Sequence, residues 1–147
     1  MDKIKSLLLV EDNVDDVDLT LLCLNRNKIA NRVDVVRDGA DALDYIFARG
    51  RHEHRNIDDH PAVILLDLNL PKVSGLEVLA AIRKDPRTRR VPVVIFTTSN
   101  EERDIAGSYD GGANSYIRKP VDLERFNEAI RQLGLYWVLL NQEPPHA

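Results

Sequence analysis

Short apolar segments alternate with longer amphipathic segments along the chain. Leu7–Val10, Ala62–Leu66 and Val93–Phe96 are unbroken apolar runs, which is typical of central parallel strands covered on both faces. Val33–Val36 is interrupted by an acid and Tyr116–Ile117 is short, so these two segments are predicted to be edge strands. No linker rich in Ser, Gly or Pro interrupts the pattern, which therefore predicts five consecutive βα units.

The three central strands and two edges, the edges being second and fifth in sequence, fit a doubly wound α/β fold. We expect a five-stranded parallel sheet in the flavodoxin-like order 2-1-3-4-5, with right-handed crossovers and helices on both faces. The strand order reverses between strands 1 and 3. Ligands bind such sheets outside the carboxyl ends of the strands at this point.

Each predicted helix has a residue that marks its start or its end. Asn13, Asp38, and Ser74 or Gly75 begin the first three helices, a fourth ends at a Gly-Gly pair, and a fifth follows Pro120. The inward-facing positions predicted from the helical period are Val14, Val17, Leu21 and Leu24, then Ala40, Leu43 and Phe47, then Leu76, Leu79 and Ile82, and finally Leu123, Phe126, Ile130 and Leu133.

Composition excludes several classes of protein. Apolar residues make up 44% and charged residues 30%, as in globular proteins with a buried core. The net charge of −4 provides no global positive field for nucleic acid or an anionic membrane. The longest apolar run, Leu135–Leu140, is far below the roughly 18 residues of a membrane span, and no secretory signal is present, so a cytoplasmic location is expected.

Two further residue groups are predicted to be structural. The lone cysteine, Cys23, lies among leucines and is expected to be a small buried hydrophobe. A cluster of basic residues near the end of the third helix is expected to form a solvated surface: Arg83, Lys84, Arg87, Arg89 and Arg90.

Chemically active side chains follow the strands that border the predicted crevice. Strand 1 is followed by two acids, strand 3 by an acid and an amide, strand 4 by a hydroxyl and strand 5 by an amine. These residues are Glu11, Asp12, Asp67, Asn69, Thr97 and Lys119.

Three carboxylates gathered in one crevice need compensation. At about 5 Å separation and an effective dielectric of about 20, the electrostatic repulsion between two carboxylates is on the order of 3 kcal/mol. Mg²⁺ prefers such oxygen ligands, and with Lys119 it would bring the formal charge to zero. This arrangement favours phosphoryl transfer onto Asp67 as nucleophile, with Thr97 donating a hydrogen bond to the transferred group.

The same residues lie in motifs that resemble the receiver domain of two-component response regulators, over about residues 4 to 133. The resemblance rests on four segments: LLVEDN (8–13), DLNLPKVSG (67–75), PVVIFT (92–97) and YIRKP (116–120). It implies that Asp67 is phosphorylated by the phosphohistidine of a histidine kinase. It also implies that Asp12, the Asp67 carboxylate and the Asn69 main-chain carbonyl bind Mg²⁺, with Glu11 nearby through water.

The resemblance further implies a conformational switch. Thr97 and Lys119 would hold the phosphoryl oxygens, and Tyr116 would be the aromatic that turns inward as Thr97 moves. Phosphorylation would then change the face formed by helix 4, strand 5 and helix 5. The family's usual Lys-Pro geometry implies a cis bond between Lys119 and Pro120.

Three features depart from the family pattern. Glu11 stands where aspartate is commoner, and Thr98 stands where many receivers have alanine. The 50–61 loop is unusually long and carries three histidines. A solvated loop is favoured over a metal site there, because no Cys or carboxylate set accompanies the histidines: His52, His54 and His60.

Residues 1–133 are predicted to form the receiver and 134–147 a C-terminal apolar extension. Only 14 residues follow Leu133, too few for a DNA-reading module, so a single-domain regulator is expected. The extension either folds back on its own domain or forms an interface, with a homodimer as the expected partner. It resembles regulators paired with phytochrome-type or hybrid sensor kinases. The expected partner is therefore a sensor histidine kinase or a phosphotransfer protein.

Four alternatives remain. A flavin-binding protein shares the topology, but acids stand where it needs a phosphate loop. A phosphatase of the haloacid dehalogenase type, forming an aspartyl phosphate with Mg²⁺, places its nucleophile after strand 1. A degenerate receiver that works only as a scaffold is disfavoured, because Glu11, Asp12, Asp67, Thr97 and Lys119 are all present. Within the family, a shuttle or phosphate sink in a multistep relay stays open. The protein is expected to be a switch with at most self-phosphorylation and self-dephosphorylation, and not an enzyme.

Overall fold

Five short segments form one parallel sheet. The computed structural model describes residues 6–27, 32–120 and 122–141, with only the backbone at 139 and 140. The strands are β1 (Ser6–Val10), β2 (Arg32–Val36), β3 (Val63–Leu66), β4 (Val93–Thr97) and β5 (Ser115–Arg118). The helices are α1 (Val14–Arg26), α2 (Gly39–Ile46), α3 (Gly75–Lys84), α4 (Glu102–Asp110) and α5 (Leu123–Gly134).

The strand order is β2-β1-β3-β4-β5, which confirms the predicted topology and both edge strands. All pairs are parallel, with Val10 aligned to Leu66 and Thr97 aligned to Arg118. Because every strand runs in the same direction, the residues that follow β1, β3, β4 and β5 lie along one edge of the sheet.

Alternate strand residues face two separate cores. Leu8 and Val10 of β1 point to the core shared with α2 and α3, whereas Leu7 and Leu9 point to the core shared with α1 and α5. Cys23 is buried in the second core, as predicted. The central strands are therefore apolar on both faces.

Helix caps follow the predicted residues. The side chains of Asn13, Asp38 and Ser74 each accept a hydrogen bond from the backbone N–H three residues later. Two predicted inward residues are wrong, because Val14 is 52% and Leu123 is 56% exposed. Each is the first residue of its helix, where the chain has only just left the loops beyond the sheet edge.

Leu43 of α2 and Phe47 directly after it pack against the core as predicted, but the fully buried positions of α2 differ from the prediction. Its buried side chains are Ala42, Tyr45 and Ile46, while the predicted inward residues are half-buried. Tyr45 tolerates burial because its hydroxyl donates a hydrogen bond to Asp34 on β2. The residues predicted to face inward were Ala40, Leu43 and Phe47.

The first part of the 50–61 loop is docked on α2, so His52 departs from the expectation of a solvated loop, whereas His54 is exposed as expected. His52, in a short 3-10 turn, is 8% exposed and its Nε2 lies 2.8 Å from Asp41 Oδ1. The Arg55 guanidinium stacks 3.8 Å from the centre of the Tyr45 ring. Hydrogen bonds and ring stacking to α2 therefore hold the first part of this loop.

Arg83 is not part of a solvated surface, contrary to the prediction. It is half-buried, and its Nε donates to the Gly112 carbonyl at 2.9 Å while Nη1 donates to the Val91 carbonyl at 2.7 Å. Its Nη2 donates to Asn114 Oδ1 at 3.0 Å. One guanidinium thus joins the loops before β4 and β5.

The apolar tail, Leu135–Leu140, continues α5 without a break as a π-helix. Val138 is fully buried in the core beside α1 and α5, Trp137 is half-buried, and Tyr136 is 53% exposed. The tail thus contributes to the core of its own domain and leaves one aromatic ring in solvent. Over the described residues, no helix combines the length and apolarity that a membrane crossing needs.

Candidate functional site

The backbone ladder carries four functional side chains to one edge of the sheet. The Glu11 N–H donates to Val36 O at 3.0 Å, and the Asp67 N–H donates to Val10 O at 3.1 Å. The Lys119 N–H donates to Thr97 O at 2.7 Å, so β4 and β5 end side by side. The four predicted residues Glu11, Asp67, Thr97 and Lys119 are all buried.

Lys119 is the centre of this cluster. Its ammonium contacts Glu11 Oε1 and lies 2.9 Å from Asp16 Oδ2 and 3.2 Å from Asp67 Oδ2. The other Asp67 oxygen accepts a hydrogen bond from the Thr97 hydroxyl at 2.7 Å. Asp67 is thus held at both oxygens, one by a hydroxyl and one by a cation.

The longer arm of Glu11 fits the site by folding toward α1. One carboxylate oxygen contacts Lys119, and the other accepts a hydrogen bond from the Asn13 N–H at 3.2 Å. Each carboxylate oxygen of Glu11 therefore has a hydrogen-bond partner.

The electrostatics of the cluster separate its two central acids. Burial, reinforced by the neighbouring Asp67 charge, raises the pKa of Glu11 from 4.5 to about 7 despite the Lys119 hydrogen bond. Burial alone would raise the pKa of Asp67, but the Thr97 hydrogen bond and the Lys119 charge outweigh it and hold that pKa below 3.8. Asp67 is therefore the acid that stays ionised.

Lys119 remains a cation in this environment. Burial favours the neutral amine, but the hydrogen bond to Glu11, the charge of Asp67 and the hydrogen bond to Asp16 raise the pKa of Lys119 above 10.5. The site thus carries several carboxylates and one ammonium, an excess of negative charge.

The remaining residues of the predicted metal set border the cluster. The exposed Asn69 donates its N–H to Asp67 Oδ1 at 3.3 Å, and the exposed Asp12 accepts a hydrogen bond at its main-chain oxygen from Arg37 at 2.8 Å. No hydrogen bond or ion pair between described residues joins the Asp12 side chain to the cluster. No three His, Cys, Asp or Glu side chains in the described ranges form a metal cluster. The predicted metal set, Glu11, Asp12, Asp67 and the Asn69 main-chain carbonyl, stays a prediction.

Tyr116, the predicted switch aromatic, bridges β5 and the loop after β4. Its ring is half-buried, and its hydroxyl donates to the Ser99 carbonyl at 2.7 Å. The expected cis bond before Pro120 is wrong, since all described peptide bonds are trans. Trans is the isomer that about 95% of X-Pro bonds adopt in folded proteins.

Asp16 is the site residue that the sequence pattern did not identify. Its position in the first turn of α1 suggests only a favourable interaction with the helix dipole. A usable signal was present, because helical side chains lean toward the N-terminus, and this turn follows directly after Glu11 and Asp12.

Residues 7–131 match the family model of the response regulator receiver domain. Response regulator Rcp1 of Synechocystis sp. is 37% identical over 91% of this chain and 89% of its own length. The Mn²⁺-bound structure of Rcp1 superposes with a TM-score of 0.88 at 35% identity, covering 96% of this chain and 99% of that one.

Two further solved structures are similar. The phosphorylated cyanobacterial phytochrome response regulator RcpA is 38% identical, with a TM-score of 0.90 over 97% of this chain and 100% of its own. The bacteriophytochrome response regulator RtBRR is 50% identical, with a TM-score of 0.77 over 97% of this chain and 86% of its own. With a buried acid, hydroxyl and lysine at three successive strand ends and a family match over most of its length, this chain belongs to the response regulator receiver domain family.

Proposed function

We propose that Asp67 accepts a phosphoryl group from a sensor histidine kinase and that the chain then signals through protein contacts. The observation that carries this proposal is the double hold on Asp67, with Thr97 Oγ1 at 2.7 Å from one oxygen and Lys119 Nζ at 3.2 Å from the other. A hydroxyl and an ammonium there are the groups that stabilise charge on a transferring phosphoryl.

The transfer balances as a single displacement. An Asp67 oxygen forms a bond to phosphorus, the N–P bond of the kinase phosphohistidine breaks, and its electron pair stays on the imidazole, which then takes up a proton. Lys119 leaves the Asp67 oxygen that is now bonded to phosphorus and contacts a phosphoryl oxygen. The Thr97 hydroxyl likewise turns from Asp67 to the transferred group.

A divalent cation fits this site. The donors are oxygens, and the carboxylates of Glu11, Asp16 and Asp67 face a single ammonium, that of Lys119. Asp12, Asp67 and the Asn69 carbonyl would hold Mg²⁺, with Glu11 contributing through water. When bound, the ion supplies positive charge to the phosphoryl oxygens. The structure of the relative Rcp1 in its Mn²⁺-bound form supports this assignment.

Phosphorylation would change the face formed by α4, β5 and α5. Tyr116 links this face to the site, because its hydroxyl bonds to Ser99, two residues after Thr97. Movement of Thr97 toward the phosphoryl group releases that loop and favours an inward Tyr116 ring, which gives two states of different phosphoryl affinity.

The partner we propose is a phytochrome-type histidine kinase. The similar structures of RcpA and RtBRR, a phytochrome and a bacteriophytochrome response regulator, support this choice. A phytochrome-type kinase should phosphorylate the chain faster than a kinase of another class does. Equal rates with both would argue against this pairing.

The test of phosphorylation uses acetyl phosphate with Mg²⁺ and intact-mass spectrometry. The wild type should gain the mass of one phosphoryl group, and Asp67→Asn should gain none. Phosphorylation of both variants, or of neither, would contradict the proposal. Continuous release of phosphate from a phosphomonoester would favour a phosphatase instead.

We also propose that the chain forms a homodimer through its apolar tail. The exposed ring of Tyr136, adjacent to buried Val138, supports this, because it leaves an aromatic surface beside α5. Truncation after Gly134 is a poor test, since it removes Val138 from the core. Tyr136→Glu should instead yield a monomer in sedimentation, while Tyr109→Glu, at similar exposure on α4, should stay dimeric. A monomeric wild type, or loss of the dimer only in Tyr109→Glu, would refute the tail interface.

A further inference from the structure

A third carboxylate, Asp16, binds the site lysine. Its Oδ2 lies 2.9 Å from Lys119 Nζ, closer than Asp67 Oδ2 at 3.2 Å. An ammonium has three N–H donors, and here each has one carboxylate partner: Glu11, Asp16 and Asp67. The direction of the Lys119 side chain is therefore fixed from three sides.

Asp16 differs from the other two partners in its exposure. Its side chain is 27% exposed, against 3% for Glu11 and 10% for Asp67. Its backbone is held in place because its N–H donates to the Asn13 cap at 3.0 Å. Asp16 thus reaches Lys119 from the solvent side of the site, on a fixed turn of α1.

This contact gains importance when Asp67 carries a phosphoryl group. Lys119 must then leave the Asp67 oxygen that is bonded to phosphorus and direct one N–H to the phosphoryl group. Two acceptors still hold the ammonium, Glu11 from the interior and Asp16 from the opening.

We propose that Asp16 is a positioning residue, which holds the Lys119 ammonium toward the phosphoryl group on Asp67 by accepting one of its hydrogen bonds. This inference rests on the proposed phosphorylation of Asp67. Positioning requires a hydrogen-bond acceptor at residue 16 and not a negative charge, since a further anion near a phosphoryl dianion is repulsive. Asparagine can therefore replace aspartate here, whereas alanine cannot.

The experiment measures beryllofluoride binding, with Mg²⁺ present, to the full chain and to Asp16→Ala and Asp16→Asn. Loss of one charge-assisted hydrogen bond should weaken binding at least about tenfold in Asp16→Ala. Asp16→Asn should bind within about threefold of the wild type, because its amide oxygen still accepts the Lys119 proton. Wild-type affinity in Asp16→Ala, or equal losses in both variants, would overturn the positioning role.

Asp15→Ala is the matched control. Asp15 is exposed, lies in the same first turn of α1, and its replacement changes the net charge and the helix-end charge equally. It should bind beryllofluoride like the wild type. A tenfold loss in Asp15→Ala as well would assign the effect to charge at the helix end and overturn the proposal.

A second measurement reports on the lysine itself. The ¹⁵Nζ resonance of Lys119, identified by its disappearance in Lys119→Arg, should show faster proton exchange in Asp16→Ala than in the wild type or Asp16→Asn. Unchanged exchange would overturn the proposal even if binding fell. The two proposals fail in different ways. If the wild type does not bind beryllofluoride, the proposed phosphorylation of Asp67 is refuted. If the wild type and Asp16→Ala bind beryllofluoride equally well, only the positioning role of Asp16 is refuted.

Discussion

Gly75, the first residue of α3, lies against the backbone that carries Asp67. A Cβ atom there would meet the Asp67 carbonyl oxygen and would lie 2.6 Å from Leu68 Cα and 3.0 Å from the Asp67 carbonyl carbon. All three are backbone atoms, which cannot rotate away as a flexible side chain does. Gly75→Ala must therefore displace α3 or the end of β3.

The cost of this displacement follows from the packing. Overpacking a close-packed site costs roughly 1–3 kcal/mol, and backbone contacts place Gly75→Ala near the upper end, at about 3 kcal/mol. At about 2.1 cal/mol/K per residue, the unfolding entropy of 147 residues is about 0.3 kcal/mol/K. The melting temperature should therefore fall by roughly 10 °C.

Gly107→Ala is the matched control and should change stability in the opposite direction. Gly107 lies inside α4, and among the described residues a Cβ there would meet only Leu76 Cδ1 at 3.6 Å, an ordinary contact. Alanine should stabilise the helix by about 0.5–1 kcal/mol and raise the melting temperature by roughly 2–3 °C.

The assay is thermal and urea unfolding of both variants, followed by circular dichroism. Gly75→Ala should also bind beryllofluoride more weakly at a temperature where it is fully folded, because the backbone at Asp67 has moved. A Gly75→Ala variant that unfolds at the wild-type midpoint would refute the steric reasoning. Stabilisation of both Gly75→Ala and Gly107→Ala would also refute the steric reasoning.

Three other predictions concern stability. Arg83→Met should lower the free energy of unfolding in urea by about 3 kcal/mol, because two partly buried carbonyls lose a charged donor; a loss below about 0.5 kcal/mol would contradict the bridging role. Val138→Ala should lower the free energy of unfolding by about 2 kcal/mol and Tyr136→Ala by far less, because Val138 is buried and Tyr136 is exposed. Equal losses would show that the tail does not pack on its own domain. Between pH 4.5 and about 7, folded Glu11 holds a proton that the unfolded chain has released, so stability should fall by up to about 3 kcal/mol as pH rises. Glu11→Gln should remove this slope in pH-dependent urea titrations, and an unchanged slope would show that another group titrates.

The sequence alone predicts the sheet and its strand order. A central parallel strand is covered on both faces, so its sequence is an unbroken apolar run. The strands β2 and β5 contain polar residues because each lies at an edge of the sheet. Since parallel strands end at one edge, the residues that follow them must be neighbours. Local pattern and chain direction therefore suffice to predict that Asp67, Thr97 and Lys119 lie together.

Contacts between elements other than neighbouring strand ends could be identified only in the tertiary structure. Asp16 and Lys119 are 103 positions apart, and Arg83 bonds to Gly112 at a separation of 29. The burial of His52 against Asp41 and of Val138 in the second core likewise depends on how separate elements pack. Hydrophobic periodicity specifies which face of an element is apolar, but it carries no distances between elements. Packing fixes those distances, and they decide which charges and donors meet.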